Sequence, residues 1–345
     1  MSMRCSRRRA LQLLGTSGAV AATAGCLSSG SLEDYALIAG ELDLSSIESL
    51  ARTGHLWPDP TAIRATTRVD FTDETKTRYV SELFDTGSVT AQQWPLVWRV
   101  PWGKGTAPRP TFFQRDGIFY EAAITDEQYL ERERWHFAVE RVDETPPDDA
   151  TVERTPIDLS AQDERVIEAA LDAVYAGNDG FLGEPEFETL QTVEYHQGLD
   201  ADTSELVPNP PFDFIQHEHS EEHFRPVTDQ RTVRVPEWTY TVDEVAGTPE
   251  EFMEYARDAI IKYDLTANDI SAAARDVMDD VISEENRRRY EEGAPPSEEL
   301  AAVLEALGIA DDLQPIDSYD DRVDFKNVVA EYQDAVHQFG LIVTP

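Results

Sequence analysis

Two stretches of this chain share one pattern: Trp135-His136-Phe137-Ala138-Val139-Glu140 and Trp238-Thr239-Tyr240-Thr241-Val242-Asp243. In both, large apolar residues occupy alternate positions, which is typical of an antiparallel strand with one buried face. The stretches lie 103 positions apart, and the same offset separates a Thr-Asp pair before each of them and a Thr-Pro pair after each of them. This constant offset predicts an internal duplication of the chain.

A β-hairpin is predicted ahead of each of these strands, and a third one at the C-terminus. In the first copy the paired strands flank Asp116-Gly117, a dipeptide typical of two-residue hairpin turns. A longer polar loop separates the strands of the second copy. The three predicted strand pairs are 112–114 with 119–121, 214–216 with 223–224, and 328–332 with 336–343.

Amphipathic helices are predicted after three residues that can cap a helix start: Thr72, Ser160 and Thr266. Two further helices are predicted in the C-terminal third. One begins at the capping box Thr248-Pro249-Glu250-Glu251, and the other follows Ser297 and ends at Gly308. Each copy of the repeat would then combine one helix with one small sheet.

The predicted fold class is α+β, with tandem repeats of a helix packed on a small antiparallel sheet and extra helices in the C-terminal third. Chance recurrence of acidic and apolar residues in a biased composition is the alternative to a true repeat. The predicted segments are a removed signal (1–25), a tether (26–34), a first repeat with an N-terminal extension (35–146), a second repeat (147–247), and a helical insert with a third repeat (248–345).

The N-terminus has the parts of an export signal, namely a positive start, an apolar run too short to span a bilayer, and a small-residue cleavage site. Arg7 and Arg8 precede the apolar run, and this arrangement resembles the twin-arginine export route. The run ends at Thr23-Ala24-Gly25-Cys26, which resembles a lipobox in which Cys26 becomes the lipid-modified first residue. An ordinary cleaved signal that contains a cysteine is the alternative.

The cysteine count agrees with a lipid anchor. The chain has two cysteines, Cys5 and Cys26, and Cys5 lies inside the segment that cleavage would remove. The mature protein could therefore form no internal disulfide, and a lipid on Cys26 accounts for the remaining thiol. We expect the protein to be exported and held at the outer face of the cell membrane through this lipid.

The net charge of the chain indicates the environment in which it works and the classes of partner that it can bind. There are 68 acidic residues against 29 lysines and arginines, and the formal net charge is −39. This composition resembles proteins of extreme halophiles, and together with the N-terminus it resembles the twin-arginine-exported surface lipoproteins of haloarchaea. Nucleic-acid binding is excluded because it requires a basic face. The negative charge also disfavours electrostatic binding to anionic lipid, so membrane attachment would be covalent.

One short segment has a metal-binding pattern. His217, His219 and His223 lie within seven residues, together with three glutamates. Neutral imidazoles at this spacing can chelate Zn²⁺ or another divalent metal, through His217 and His219 in a strand or through His219 and His223 in a helix. The alternative is a solvated polar hairpin loop, which is where the repeat comparison places these residues.

No catalytic motif is present, because the sequence has neither a Gly-x-Ser-x-Gly elbow nor a phosphate-binding glycine loop. No catalytic residue is therefore predicted. Four tryptophans have two interpretations, a carbohydrate-binding face or, given their strand-like spacing, a buried core. They are Trp94, Trp98, Trp102 and Trp135.

These observations favour a lipid-anchored surface protein of tandem α+β modules with a non-catalytic role in binding or envelope interaction. An exported hydrolase with a carboxylate-based site is one alternative, since the acidic background would conceal a catalytic pair. A metal-binding surface protein that uses His217, His219 and His223 is another. A transporter's solute-binding lipoprotein ranks last, because such proteins have alternating strand and helix units in two lobes.

Overall fold

The computed structural model describes residues 34–98, 109–143, 145–177, 191–217, 221–266, 270–283, 288–320 and 322–345. The predicted export signal with Arg7 and Arg8, and the predicted lipid site Cys26, lie outside these residues. The described chain contains both helices and strands, so the α+β class is confirmed.

Strands and helices are interspersed along the described chain. The first half contains β1 (Asp34–Glu41), α1 (Ile47–Arg52), β2 (Leu56–Trp57), α2 (Asp73–Thr86), β3 (Ser88–Gln92), β4 (Thr111–Arg115), β5 (Ile118–Val142), β6 (Val152–Arg154) and α3 (Ala161–Gly177). The second half contains β7 (Val193–Glu194), β8 (Phe214–Gln216), β9 (His223–Ala246), α4 (Pro249–Ile260), β10 (Tyr263–Asp264), α5 (Ala272–Ile282), β11 (Arg289–Gly293), α6 (Glu298–Ala306), β12 (Val323–Tyr332) and β13 (Ala335–Thr344).

The chain divides into two compact units, each made of separate segments. Unit 1 comprises Met1–Pro58, Trp98–Glu121 and Glu244–Pro345, and unit 2 comprises Asp59–Val97 and Ala122–Asp243. Strands β5 and β9 contribute residues to both units. This division groups segments that are distant in sequence, whereas the predicted repeats follow one another along the chain. The tandem repeat therefore stays a prediction.

Unit 1 has a five-stranded sheet in the order β10-β12-β13-β1-β11. Strand β1 lies between β13 and β11 and is antiparallel to both. Helices α5 and α6 cover this sheet with apolar residues that are almost fully buried, among them Val277, Leu300 and Leu304. The sequence predicts a tether over residues 26–34 and an extension from residue 35, because nothing local indicates a strand whose partners lie at the other end of the chain.

The hairpins are confirmed. Asp116 and Gly117 join β4 to β5 with φ of 54° and 82°, and Gln333 and Asp334 join β12 to β13 with φ of 51° and 61°. Two successive positive φ angles are what a two-residue type I′ turn requires. In unit 2, β8 pairs with the first residues of β9 at Ile215 and Phe224, as the second predicted hairpin requires.

Four of the five predicted helix caps are confirmed, since side chains of Thr72, Ser160, Thr248 and Ser297 accept hydrogen bonds from backbone N–H groups of the first helical turn. The prediction at Thr266 is wrong. Its hydroxyl and its N–H both donate to the Asp264 carboxylate in a local turn. Helix α5 begins later and is capped by Ser271.

Unit 2 is built on β5 and β9, which are neighbours in one sheet. Side-chain contacts follow their antiparallel course, from Glu140 with Arg225 at one end to Gln128 with Glu237 at the other. Strand β3 pairs with β9 and β7 pairs with β5. One face of this sheet packs against α3, and the buried residues there include Phe137, Val139 and Val166. This core places the alternate side chains of β5 on the opposite face.

Candidate functional site

The opposite face of the unit 2 sheet has polar residues. Arg134 and His136 alternate on β5 with the core residue Phe137, so they lie on the side away from α3. Glu194 on β7 is the cross-strand partner of His136. Cross-strand partners share a face, so Glu194 lies beside His136.

A chain of hydrogen bonds crosses this face. The Arg134 Nη2 group donates to Gln92 Oε1 at 3.0 Å, and Gln92 Nε2 donates to Glu237 Oε2 at 2.8 Å. The other oxygen of Glu237 accepts from Gln128 Nε2 at 2.7 Å. Gln92 and Glu237 are cross-strand partners of β3 and β9. The sheet register therefore holds this network in place.

Gln93 adds a second branch to the network. It follows β3 with a φ of 57°, an unusual value for a residue with a side chain. Its backbone N–H donates to Pro236 O at 3.0 Å, and its carbonyl accepts from the N–H of Thr66 at 2.8 Å. Its side-chain Nε2 donates to Glu194 Oε1 at 3.2 Å. Left-handed backbone at a non-glycine residue is costly and is concentrated at functional sites.

The residues on this face form the Arg134 cluster, defined as Gln92, Gln93, Arg134, His136, Glu194 and Glu237. Burial raises the pKa of the Glu194 carboxyl, while the hydrogen bond from Gln93 and the charge of Arg134 oppose that rise. Burial also lowers the pKa of His136, with the charge of Arg231 acting in the same direction. The imidazole is therefore neutral at neutral pH.

Three polar atoms of the Arg134 cluster are buried without a hydrogen bond to any group in the described chain: Gln93 Oε1, Arg134 Nε and His136 Nε2. Gln93 is 8% exposed and His136 is 6% exposed. Buried polar atoms are nearly always hydrogen-bonded, because each one left without a partner costs about 1–3 kcal/mol. The cluster thus offers a donor at Arg134, an acceptor at Gln93, and either role at His136.

Of the four tryptophans, Trp94 is a core residue and not part of an exposed face. Trp94 is fully buried, and its indole N–H donates to the carbonyl of Ile63 at 2.8 Å. Trp135 packs partly buried against the core under α3, and Trp98 lies in unit 1 against Arg109. Trp102 lies outside the described residues. The carbohydrate-binding interpretation is therefore wrong for Trp94, which is a core residue.

The predicted metal ligands lie at the β8–β9 loop. His217 follows β8, His223 begins β9, and His219 lies outside the described residues. The His217 ring meets Tyr175 edge-on at 5.8 Å. Within the described ranges, no group of three or more His, Cys, Asp or Glu side chains is arranged to hold a metal ion. Metal binding by this loop stays a prediction.

The Arg134 cluster could not be found from the sequence, because its members come from four separated segments. The alternation in Trp135–Glu140 predicts that His136 lies opposite Phe137, but it also predicts that this second face is exposed.

No described helix is both long and apolar enough to cross a bilayer. Comparison of the chain with protein-family models, with curated proteins and with solved structures gives no match.

Proposed function

We propose that this chain is an exported, lipid-anchored surface protein whose Arg134 cluster binds a small hydroxyl-rich molecule such as a sugar unit. The observation that carries the proposal is the presence of three buried polar atoms without a described partner within one hydrogen-bonded cluster. Such atoms are paired when a bound molecule supplies the missing hydrogen bonds.

The chemistry of the cluster favours hydroxyl groups. A hydroxyl both donates and accepts, so it can accept from Arg134 Nε and donate to Gln93 Oε1. The charge of Arg134 is balanced by Glu194 nearby, so the ligand needs no charge of its own. A neutral His136 can serve a second hydroxyl as donor or acceptor. Neighbouring hydroxyls of a sugar meet these requirements together.

The binding experiment is a calorimetric titration of the purified full chain with neutral sugars and with uronic acids. Roughly 1 M KCl screens the self-repulsion of this acidic protein. Arg134→Gln should weaken sugar binding about tenfold or more, because a buried hydrogen bond to a charged donor contributes about 1.5–3 kcal/mol.

Arg225→Gln is the matched control, since Arg225 is an exposed arginine of the same strand pair that pairs with Glu140. It should bind as the wild type does. Absence of sugar binding to the wild type, or equal affinity in the Arg134 variant, would contradict the proposal.

The anchor is proposed from the N-terminal sequence. Cys26→Ser should release the protein from membranes into the medium, as seen by fractionation and immunoblotting. Cys5→Ser is the control, because Cys5 lies in the segment that cleavage would remove. Membrane attachment that survives in the Cys26 variant would overturn the anchor.

The proposed modules derive from a duplication. Strands β5 and β9 are 25 and 24 residues long, and each follows a short hairpin partner. These similar strand pairs support the duplication that the 103-residue offset predicts.

Hydrolysis of a glycoside is the second candidate function, and Glu194 favours it. A carboxyl whose pKa is raised by burial is suited to donate a proton to a leaving group. Glu194→Gln should then abolish release of nitrophenol from aryl glycosides while sugar binding persists. Without turnover by the wild type, this candidate fails and binding alone remains.

A further inference from the structure

A second buried histidine with one ring nitrogen that has no partner in the described chain lies in unit 1, between α1 and β2. His55 is 1% exposed. Its N–H donates to the carbonyl of Leu50 at 3.0 Å, and its carbonyl accepts from Phe112 at 2.7 Å. Gly54 before it has a φ of 73°, which a residue with a side chain rarely adopts. The backbone therefore fixes the imidazole in the interior.

The hydrogen bonds of Thr53 favour one of the two tautomers of His55. The Thr53 hydroxyl lies 3.0 Å from the carbonyl oxygen of Ser49 and 3.1 Å from that of Leu50. These two carbonyls also accept from the backbone N–H groups of Thr53 and His55. We assign the single hydroxyl proton of Thr53 to them, so that its oxygen, 2.9 Å from Nδ1 of His55, accepts from Nδ1–H. Nε2 thus carries a lone pair, and this buried atom has no partner in the described chain.

Arg109 is the cation that acts on this imidazole, because its charge adds to the effect of burial in lowering the pKa of His55. Its guanidinium lies over the Trp98 ring at 4.4 Å and donates through Nη2 to the carbonyl of Thr53. The Trp98 indole N–H in turn donates to the carbonyl of Gly54 at 3.1 Å. These contacts bring Arg109 to the segment that carries His55.

The charge of Arg109 is not compensated within the described residues. Its Nε is buried without a partner there. None of the ion pairs in the described chain involves it, although acidic residues outnumber basic ones 68 to 29. Burial lowers the pKa of Arg109 to about 10, so the guanidinium stays charged at neutral pH. A charged arginine whose Nε is buried and has no partner in the described chain favours an anionic ligand.

We propose that His55 and Arg109 bind an oxyanion that carries a hydroxyl, which is the chemistry of hydrogen phosphate and of the singly protonated form of a phosphate monoester. One charged oxygen accepts from Arg109 Nε–H, and the hydroxyl of the same anion donates to His55 Nε2. A divalent cation is disfavoured by the charge of Arg109. Sulfate has the same shape but no proton at neutral pH, so it would leave Nε2 unpaired. This site uses no residue of the Arg134 cluster, so its test does not depend on the proposed function.

The test compares phosphate with sulfate by calorimetric titration of the purified full chain at neutral pH. Phosphate should bind about tenfold tighter or more, because sulfate leaves a buried acceptor without its donor. Glycerol 3-phosphate distinguishes the two sources of the ligand: comparable binding identifies a phosphate ester, and weaker binding identifies free phosphate. Equal affinity for phosphate and sulfate, or no phosphate binding, would overturn the proposal.

Two variants test the separate roles of His55, as the hydrogen-bond acceptor, and of Arg109, as the cation. His55→Phe should remove the preference for phosphate over sulfate, and Arg109→Gln should weaken both anions about tenfold or more. Arg52→Gln is the matched control, because Arg52 is an exposed arginine of the same unit that pairs with Asp43. If either site variant fails to fold by circular dichroism, the ratio of phosphate to sulfate affinity in the wild type still decides the question. Anion binding unchanged in a folded Arg109 variant would contradict the assignment.

Discussion

His196 in unit 2 and His55 in unit 1 are both 1% exposed, yet their hydrogen bonds differ. Nδ1 of His196 accepts from the N–H of Gly198 at 2.9 Å, so its Nε2–H donates to the carbonyl of Val69 at 2.7 Å. Both nitrogens of His196 are thus used by the protein. To His55 we assign the opposite tautomer, and one of its nitrogens has no described partner.

Burial of a histidine therefore does not by itself indicate a site. His196 joins the segment after β7 to the segment before α2, and its ring packs at 4.8 Å from Phe71. Its role is structural, because both of its ring nitrogens already have protein partners. His55 has one ring nitrogen without a partner in the described chain, and so does His136 of the Arg134 cluster.

The largest expected effect is the loss of stability in acid. Burial lowers the pKa of His196 to about 4 and that of His55 to about 3, from an ordinary 6.5. Between these values and 6.5 the unfolded chain binds more protons than the folded one, so stability falls as the pH decreases through that window. His196 alone should remove about 3 kcal/mol of unfolding free energy by pH 4.

Urea unfolding at a series of pH values measures this loss. The slope between pH 6.5 and 4 should become smaller in His196→Phe. A variant with the wild-type slope would show that His196 is not neutral in the folded protein.

Replacement of each histidine by phenylalanine tests, at neutral pH, whether His196 contributes more to stability than His55 does. His196→Phe leaves the carbonyl of Val69 and the N–H of Gly198 unpaired, so it should cost about 2 kcal/mol or more of unfolding free energy. His55→Phe removes Nε2, which has no described partner, and one hydrogen bond between Nδ1 and Thr53, whose hydroxyl keeps its carbonyl acceptors. It should change stability by less than about 1 kcal/mol. Equal losses of unfolding free energy in the two variants, measured by urea unfolding, would contradict this difference between His196 and His55.

Gly198 tests the packing around His196 and has a smaller expected effect. A Cβ at this position would lie 3.0 Å from both His196 Cε1 and Phe71 Cδ1. Gly198→Ala should therefore cost about 1 kcal/mol. Gly40→Ala is the control, because a Cβ there meets nothing within 4 Å. A thermal midpoint that falls equally in both variants would contradict the packing argument.

Local features were predictable from the sequence, and long-range ones were not. The Asp116-Gly117 turn and the cap at Thr72 are set by neighbouring residues. The cap predicted at Thr266 is wrong because a Thr before apolar residues also forms a local turn with Asp264. Strand β1 has its partners at the other end of the chain.

The sites depend on such distant partners as well. Arg134 bonds a glutamine 42 positions away, and His55 stands beside an arginine from another segment. Only the hydrogen bonds of the folded chain show that Arg134 Nε and His55 Nε2 have no partner among the described residues. The His217–His223 loop is conspicuous in the sequence because its histidines are close together, whereas His55 is isolated there.

The most direct measurement is long-range proton–nitrogen NMR of the histidine rings during a phosphate titration. We predict that Nδ1 of His55 bears the proton, that Nε2 of His196 bears it, and that phosphate shifts the Nε2 resonance of His55 alone of these two. A proton on Nε2 of His55 in the free protein, or a His55 ring that does not respond to phosphate, would contradict the proposed anion site.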